Sequence, residues 1–181
     1  MKLQKVHHNF NRCGVFLKER NLIMYQIRKA TIKDIPQVLY FIKQLAIYEK
    51  MEDEVIATEE TLKEWMFEKK ISQSIIISVD GKDVGFALYF FNFSTFVGKG
   101  GLYLEDLFVL EEYRKKGYGK ALFKELFKIA IENDCGRMEW VCLNWNQPSI
   151  DFYLSMGAQP QTQWTTYRLT RKQLEELNQL P

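Results

Sequence analysis

Cysteine and histidine are scarce in this sequence, which contains three cysteines and two histidines among 181 residues. Cys13, Cys135 and Cys142 are odd in number and form no C-x-x-C pair, which excludes a disulfide scaffold and favours a reducing compartment. Both histidines, His7 and His8, lie near the N-terminus, far from the other two cysteines, which argues against a cysteine hydrolase. A zinc site built from them and Cys13 lacks a fourth ligand, so we expect no metal.

Long hydrophobic runs are also absent. The longest apolar stretches, such as residues 84–91, fall well short of the ~18 residues that a membrane helix needs. The N-terminal segment has no apolar core of signal-peptide length. We therefore expect a soluble, cytoplasmic protein with no membrane partner, and a hydrophobic content of 46% is sufficient for one packed core.

Positive charge is concentrated in residues 1–23, which carry a net charge of +4, whereas residues 24–181 contain 20 basic and 22 acidic residues. Such a balanced domain is a poor electrostatic match for nucleic acid, so we expect no nucleic-acid partner. We interpret residues 1–23 as a basic extension that is either disordered or not native. Residues 24–181 are predicted to form a single domain.

Strand and helix patterns alternate along the chain, which predicts an α/β fold with a mixed sheet flanked by helices. Thr31 and Asp34 have the spacing of a capping box, and Thr58 is predicted to cap a second, short helix. Residues 80–83 predict a hairpin turn. Strands are predicted at 25–29, 74–79, 84–93, 103–110, 138–143 and 165–169, and later helices at 117–132, 147–155 and 172–177.

The most informative stretch is residues 105–119, where an apolar strand leads through a basic, glycine-containing turn into a helix. Gly117 and Gly119 allow the backbone to approach a ligand closely, so the free N–H groups of the helix can bind a pyrophosphate. A solvated basic surface is the alternative interpretation. The cationic side chains that would contribute are Arg114, Lys115, Lys116 and Lys120.

A second motif, residues 146–158, reads N-Q-P-S-I-D-F-Y-L-S-M-G-A. The two motifs together resemble those of the GNAT acetyltransferase superfamily. Within it, residues 27–31, 45–52, 84–87 and 102–106 are similar to the diamine (spermidine/spermine-type) acetyltransferases. The resemblance implies a mostly antiparallel GNAT sheet with splayed central strands, acetyl-CoA as cosubstrate, a small amine as acceptor, and a homodimer.

The resemblance also implies roles for two residues in catalysis. An aliphatic amine with a pKa near ~10.4 leaves roughly one molecule in two thousand uncharged at pH 7, so a base is required. Glu105 is predicted to be that base, acting through water. Tyr153 is predicted to protonate the departing thiolate, since a phenol pKa near ~10 is close to that of a thiol. The alternatives are a solvated acid at the strand end and a tyrosine in the core.

The cofactor is predicted to contact the turn, including Tyr118, and the backbone of Leu107, Phe108 and Val109, which can pair with the pantetheine amides as a strand would. Asn146 is predicted either to extend that ladder or to cap a helix. Asp106 is expected on the opposite face of the strand from Glu105 by alternation, in a structural or substrate-orienting role.

Acceptor recognition is predicted from an aromatic and acidic cluster, Tyr48, Glu49, Glu52 and Asp53, whose acids share a face if the first helix continues. Residues 94–96 depart from the Asp-Pro-Trp of polyamine-specific members, so a lysine-like amine is as plausible an acceptor as a polyamine. A protein acetyltransferase and a non-catalytic acetyl-CoA-binding domain remain alternatives. Dimerisation is expected through the predicted strand 165–169.

Overall fold

The computed structural model describes residues 12–18 and 21–179. The described residues up to Val141 form one compact unit and those from Cys142 onward a second. Within the described residues, the first unit contains six strands and three α-helices: β1 (Arg12–Lys18), β2 (Asn21–Lys29), α1 (Ile35–Glu49), α2 (Glu59–Lys63), β3 (Gln73–Val79), β4 (Lys82–Ser94), β5 (Lys99–Val109), α3 (Tyr118–Glu132) and β6 (Arg137–Glu139). The second contains α4 (Gln147–Ser155) and α5 (Arg171–Leu177).

The six strands form one sheet in sequence order, β1-β2-β3-β4-β5-β6. All neighbouring strands are antiparallel except β5 and β6, which are parallel. The tight β3–β4 connection is the predicted hairpin, and Asp80 and Gly81 both have positive φ, of 49° and 79°, as this turn requires. The predicted mixed, mostly antiparallel sheet is therefore confirmed.

Helices cover both faces of the sheet in the first unit. Val38 and Phe41 of α1 pack with Phe86 and Leu88 of β4 in one core cluster, and the rings of Phe41 and Phe86 stack with centroids 5.4 Å apart. On the other face, α3 contacts β3, β4 and β5. Among the described residues, no helix combines the length and apolar character needed to cross a lipid bilayer.

The start of α1 is fixed by the capping box predicted from Thr31 and Asp34. Arg28 of β2 donates two hydrogen bonds of 2.8 Å to the Asp34 carboxylate and one of 3.0 Å to Asp83 at the start of β4. Since paired, charge-assisted hydrogen bonds are both stronger and more directional than neutral ones, they set where α1 begins over the sheet.

Of the predicted strands, one is shorter than expected and another is absent from the described residues. The strand predicted at 138–143 spans only Arg137–Glu139, and residues 165–169 form no strand. Both segments have suitable composition, but a strand also needs a hydrogen-bonding neighbour. For β6 that neighbour is β5, whose pairing with it ends at Tyr103. No described strand pairs with residues 165–169.

Candidate functional site

A β-bulge interrupts β5 at its pair of acidic residues. Leu104 lies opposite Tyr89 and Asp106 lies opposite Leu88, so Glu105 has no residue across from it in β4. A bulge of this kind inserts one residue, bends the strand and redirects the side chains that follow. It therefore determines where both acids point.

Asp106 does not point to the face opposite Glu105, so the prediction from strict alternation is wrong. Asp106 lies across from Leu88, which belongs to the core under α1. Tyr103 is on that same face, because its ring stacks on Phe90 at 5.0 Å, two residues from Leu88. Alternation counted from Tyr103 places Glu105 there as well, and the bulge keeps Asp106 on the face that α1 covers.

The negative charges of two other carboxylates act on Asp106. Burial raises the pKa of Asp106 to about 7, with further contributions from Glu105 and Glu49. Burial alone raises the pKa of Glu49, which is half-buried at the end of α1. A cation such as an ammonium group would favour the ionised form of Asp106, because it offsets the burial and the neighbouring negative charges.

The end of α1 separates the acidic residues that the sequence grouped together. Lys50 adopts the left-handed conformation, with φ of 60°, and Met51 N–H donates to Ala46 C=O, which closes the helix. Glu52 and Asp53 then lie in a separate 3-10 turn and are exposed. The helix therefore does not continue as the shared face of Glu49, Glu52 and Asp53 required, and Glu49 is the member whose charge acts on Asp106.

The glycine turn between β5 and α3 has the conformation expected of an anion-binding loop. It begins with a 3-10 turn at Glu111–Tyr113. Lys115 and Gly117 then have positive φ, of 59° and 88°, and α3 starts at Tyr118 with Gly117 as its N-cap. The first N–H groups of α3 are thus presented at a helix N-terminus, where the helix dipole favours negative charge.

The two glycines of the turn differ in what a larger residue would disturb. Gly117 needs its positive φ, which other residues adopt with strain. Gly119 has no such φ, and a Cβ built on it meets nothing within 4 Å. Backbone strain on substitution therefore applies only to Gly117. The open space above Gly119 is suited to close approach by a ligand.

The side chains of the turn divide into exposed cations and packed residues. Tyr118 is buried and packs edge-on against Tyr25, with centroids 6.1 Å apart, so it can offer a ligand its backbone N–H. Arg114 is half-buried, and its guanidinium lies over the rings of Tyr48 at 4.5 Å and Phe108 at 5.2 Å. The exposed cations are Lys115, Lys116 and Lys120.

One edge of β5 is open beside this turn. Pairing with β6 covers only Gly101–Tyr103, and among the described residues of the first unit no strand pairs with residues 104–109 on that edge. The pantetheine ladder along Leu107, Phe108 and Val109 stays a prediction. The carbonyl of Val109 already accepts a 2.8 Å hydrogen bond from Arg114 Nε.

The second motif, residues 146–158, lies in the second unit. Asn146 is buried and caps α4, accepting a 3.3 Å hydrogen bond from Ser149 N–H, so the capping interpretation of Asn146 is confirmed; a ligand contact stays a prediction. Tyr153 is half-buried on α4, with its ring centroid 5.3 Å from that of Phe152. Gly157, with φ of 88°, follows the helix.

The bulge is the feature of the site that the sequence analysis missed. Glu105 and Asp106 are adjacent charged residues within an otherwise apolar strand of the sheet interior. With regular alternation, one acid would point to each face of the sheet, so one of the two would lie beneath a helix whichever way the strand is turned. That conflict is a signal from which a bulge could have been predicted.

Comparison with known proteins places the chain among acetyltransferases. The model of the acetyltransferase (GNAT) family matches residues 39–158, which include both motifs. A thialysine N-epsilon-acetyltransferase of Bos taurus is 34% identical over 163 residues, covering 83% of this chain and 95% of that protein. An L-ornithine N5-acetyltransferase of Arabidopsis thaliana is 29% identical, covering 86% and 88%.

A third relative and two solved structures are also similar to this chain. A spermidine/spermine N(1)-acetyltransferase-like protein of Homo sapiens is 31% identical over 89% of this chain and 25% of that protein. An integron cassette protein from the mobile metagenome of V. cholerae has a TM-score of 0.73 at 28% identity, covering 86% of this chain and 98% of its own. An aminoglycoside acetyltransferase from a soil metagenome shares the fold, with a TM-score of 0.69 at 20% identity, covering 81% and 97%.

Proposed function

The chain belongs to the acetyltransferase (GNAT) family and is an acetyl-CoA-dependent N-acetyltransferase, and we propose that its acceptor is a small molecule carrying a primary amine and a second cationic group. The observation that carries this proposal is the carboxylate cluster of Glu49, Glu105 and Asp106 on the face of β5 that α1 covers. Di- and polyamines and lysine-like amines fit this description.

The cluster favours a doubly charged acceptor for an electrostatic reason. A protonated amine entering the cluster stabilises the ionised form of Asp106, whose pKa is about 7 when the site holds no cation. Glu49 lies on a different element from Glu105 and Asp106, so the cluster extends across the site and can hold two cationic groups of one molecule. The relatives named for ornithine, thialysine and spermidine act on amines of this kind.

Acetyl-CoA supplies the activated acetyl group when it binds, and the turn fits its pyrophosphate. The fit rests on the N–H groups at the start of α3, the positive φ of Gly117, and the open space above Gly119. The exposed lysines of the turn add positive charge. The open edge of β5 from Leu107 to Val109 would hold the pantetheine arm by backbone hydrogen bonds.

Glu105 is proposed to accept the proton of the reacting ammonium group through water. It is the exposed member of the cluster, at the bulge, so water can reach it, while Asp106 and Glu49 are partly buried and suited to holding the ammonium in place. Tyr153 is proposed to give its phenolic proton to the departing thiolate. Its support is its position in the second motif, within the family match.

Glu49→Gln is expected to raise the KM for a diamine by about 5- to 50-fold and the KM for the monoamine of equal chain length by much less. The second ammonium of the diamine loses its carboxylate, while Glu105 and Asp106 still hold the reacting amine. Steady-state rates of thiol release with both substrates at saturating acetyl-CoA measure this difference.

Glu54→Gln is the matched control, because Glu54 is an exposed acid on the neighbouring 3-10 turn. It should leave both KM values unchanged. Equal increases for the diamine and the monoamine in the Glu49 variant would reject the proposed second cation site, and wild-type protein inactive on every small amine would reject the acceptor class.

Gly119→Ala is expected to weaken acetyl-CoA binding by about 1 to 3 kcal/mol without lowering the melting temperature. The new methyl group meets nothing in the protein and improves helix propensity, but it occupies space that a bound phosphate needs. Isothermal titration calorimetry and thermal unfolding measure the two quantities separately.

Gly100→Ala serves as the control for this substitution. Gly100 also lacks a positive φ, and a Cβ there meets only Asn92 O at 3.7 Å, an ordinary contact. Its acetyl-CoA affinity should equal that of the wild type. Normal affinity in the Gly119 variant would show that the cofactor does not approach this turn closely.

A homodimer is the proposed assembly, and it is supported by the apolar side chains exposed near the C-terminus. Trp164 is 75% exposed and Tyr167 91% exposed, and Leu174 and Leu177 are each about half exposed. The segment 165–169 has strand-forming composition without a described strand partner, so pairing with a second copy would satisfy its backbone groups.

Light scattering of the full chain is expected to report a dimer at micromolar concentration, and Tyr167→Glu is expected to convert it to a monomer with an unchanged melting temperature. Ile56→Glu is the control, since Ile56 is 90% exposed on a loop of the first unit. A wild-type protein that is monomeric across this range would contradict the proposal.

We also propose a cytoplasmic location. It is supported by the free thiol of Cys135, because such a cysteine persists in a reducing compartment. Fluorescence microscopy of the tagged full chain tests it, and a signal confined to another compartment would refute it.

A further inference from the structure

Lys116 of the turn is exposed, donates a 2.7 Å hydrogen bond to Glu112 C=O and lies 5.2 Å from the centre of the Tyr113 ring, so its contacts stay within the turn. Arg114 differs because it is half-buried and its side chain contacts residues of α1 and β5. Its Nε donates a 2.8 Å hydrogen bond to the carbonyl of Val109, and its guanidinium lies 4.5 Å from the centre of the Tyr48 ring and 5.2 Å from that of Phe108. Cation–π contacts within about 6 Å are attractive, and a planar guanidinium makes them better than an ammonium does. The side chain is thus held by three groups of the protein.

The backbone of Arg114 is equally well placed to shape the turn. Its N–H donates to Glu111 C=O at 3.0 Å and closes the 3-10 turn. The left-handed Lys115 follows directly, and Gly117 lies two residues further on. The position of this residue therefore sets where the N–H groups of α3 begin.

Positive charge for a phosphate does not depend on Arg114. Lys115, Lys116 and Lys120 are all exposed on the same turn and helix start, whereas Arg114 is half-buried against two aromatic rings.

The aromatic partner Tyr48 connects Arg114 to the acceptor side. Tyr48 lies on α1 directly before Glu49, whose charge acts on Asp106 in the carboxylate cluster. The end of α1 therefore contacts Arg114 of the cofactor turn through Tyr48, and the charge of the next residue, Glu49, acts on Asp106. Both parts of the site are fixed relative to the same helix end.

We propose that Arg114 is a positioning residue, which joins the end of α1 to the cofactor turn through the Tyr48 and Phe108 rings and the Val109 carbonyl, and is not a ligand of the cofactor phosphates. This inference rests on the proposed binding of acetyl-CoA at the turn. It requires that acetyl-CoA affinity depends more on the shape of the Arg114 guanidinium than on its charge. It also requires that Tyr48 of α1 affects this affinity.

The test compares Arg114→Lys, Tyr48→Leu, Tyr48→Phe and the double variant Arg114→Lys/Tyr48→Leu in the full chain. Calorimetry without amine measures the Kd of acetyl-CoA. Arg114→Lys keeps the charge but should raise the Kd by about 3- to 20-fold, and Tyr48→Leu should do the same. Tyr48→Phe keeps the ring and should bind normally. The Kd of the double variant should be no higher than that of the weaker-binding single variant, because both substitutions remove the same contact between Arg114 and Tyr48.

Kinetics separate positioning from general loss of structure. The KM for acetyl-CoA should rise in Arg114→Lys and Tyr48→Leu while kcat at saturation and the melting temperature stay near wild-type values. Normal affinity in Arg114→Lys, normal affinity in a folded Tyr48→Leu, or effects that multiply in the double variant would each overturn the proposal. If Tyr48→Leu does not fold, Tyr48→Met replaces it, because a Tyr48 variant is needed to separate positioning from phosphate binding by Arg114. Wild-type protein that binds no acetyl-CoA would instead refute the proposed function on which this inference rests.

Discussion

Tyr153→Phe is expected to lower kcat by about 10- to 10⁴-fold while the Kd of acetyl-CoA stays within about twofold of the wild-type value. The substitution removes the hydroxyl that is proposed to protonate the thiolate and keeps the ring on α4. Pre-steady-state thiol release and calorimetry on the same preparation measure the two effects.

Tyr167→Phe is the matched control for this prediction. It removes a tyrosine hydroxyl from the same unit at a side chain that is 91% exposed, and it should leave kcat unchanged. If Tyr153→Phe turns over normally but melts at a lower temperature, Tyr153 is a packing residue and another group protonates the thiolate.

Glu105→Gln is expected to lower kcat by about 10²- to 10⁴-fold at pH 7, since the amide cannot accept a proton from the ammonium. It should also change the pH dependence of amine binding. Asp106 is protonated below its pKa of about 7, so the KM for the amine falls as pH rises through that value. Glu105→Gln removes one of the charges that raise this pKa, and the fall in KM should move to lower pH.

Asp106→Asn provides the comparison that assigns the base. It should raise the KM for the amine and flatten its pH dependence, with a smaller effect on kcat than Glu105→Gln. The reverse result, in which Asp106→Asn loses turnover and Glu105→Gln retains it, would transfer the role of base to Asp106.

Local signals in the sequence were sufficient for much of this fold. The capping box at Thr31, the Asp80-Gly81 turn and the glycine turn before α3 each depend on a few adjacent residues, and the structure contains all three. Such features need no knowledge of distant contacts.

The features that could not be predicted depend on partners elsewhere in the chain. The bulge at Glu105 is a property of two paired strands, since it exists only in the register of β5 against β4. The end of α1 at Lys50 was missed because a lysine, and not a glycine, adopts the left-handed conformation there. The segment 165–169 has the composition of a strand, but the described residues provide no strand beside it.

The bulge in β5 also divides the strand into two halves, in which the even-numbered residues point to opposite faces of the sheet. Before it, the even-numbered Leu104 lies across from Tyr89, on the face where Tyr89 senses the charge of Glu125 in α3. After it, the even-numbered Asp106 and Phe108 lie on the face of α1. Deleting Glu105 would therefore remove the bulge and one carboxylate, while Leu104 stays opposite Tyr89 and Asp106 stays opposite Leu88. A one-codon deletion would thus give a regular strand that keeps Asp106 on the face of α1 and lacks the adjacent acid.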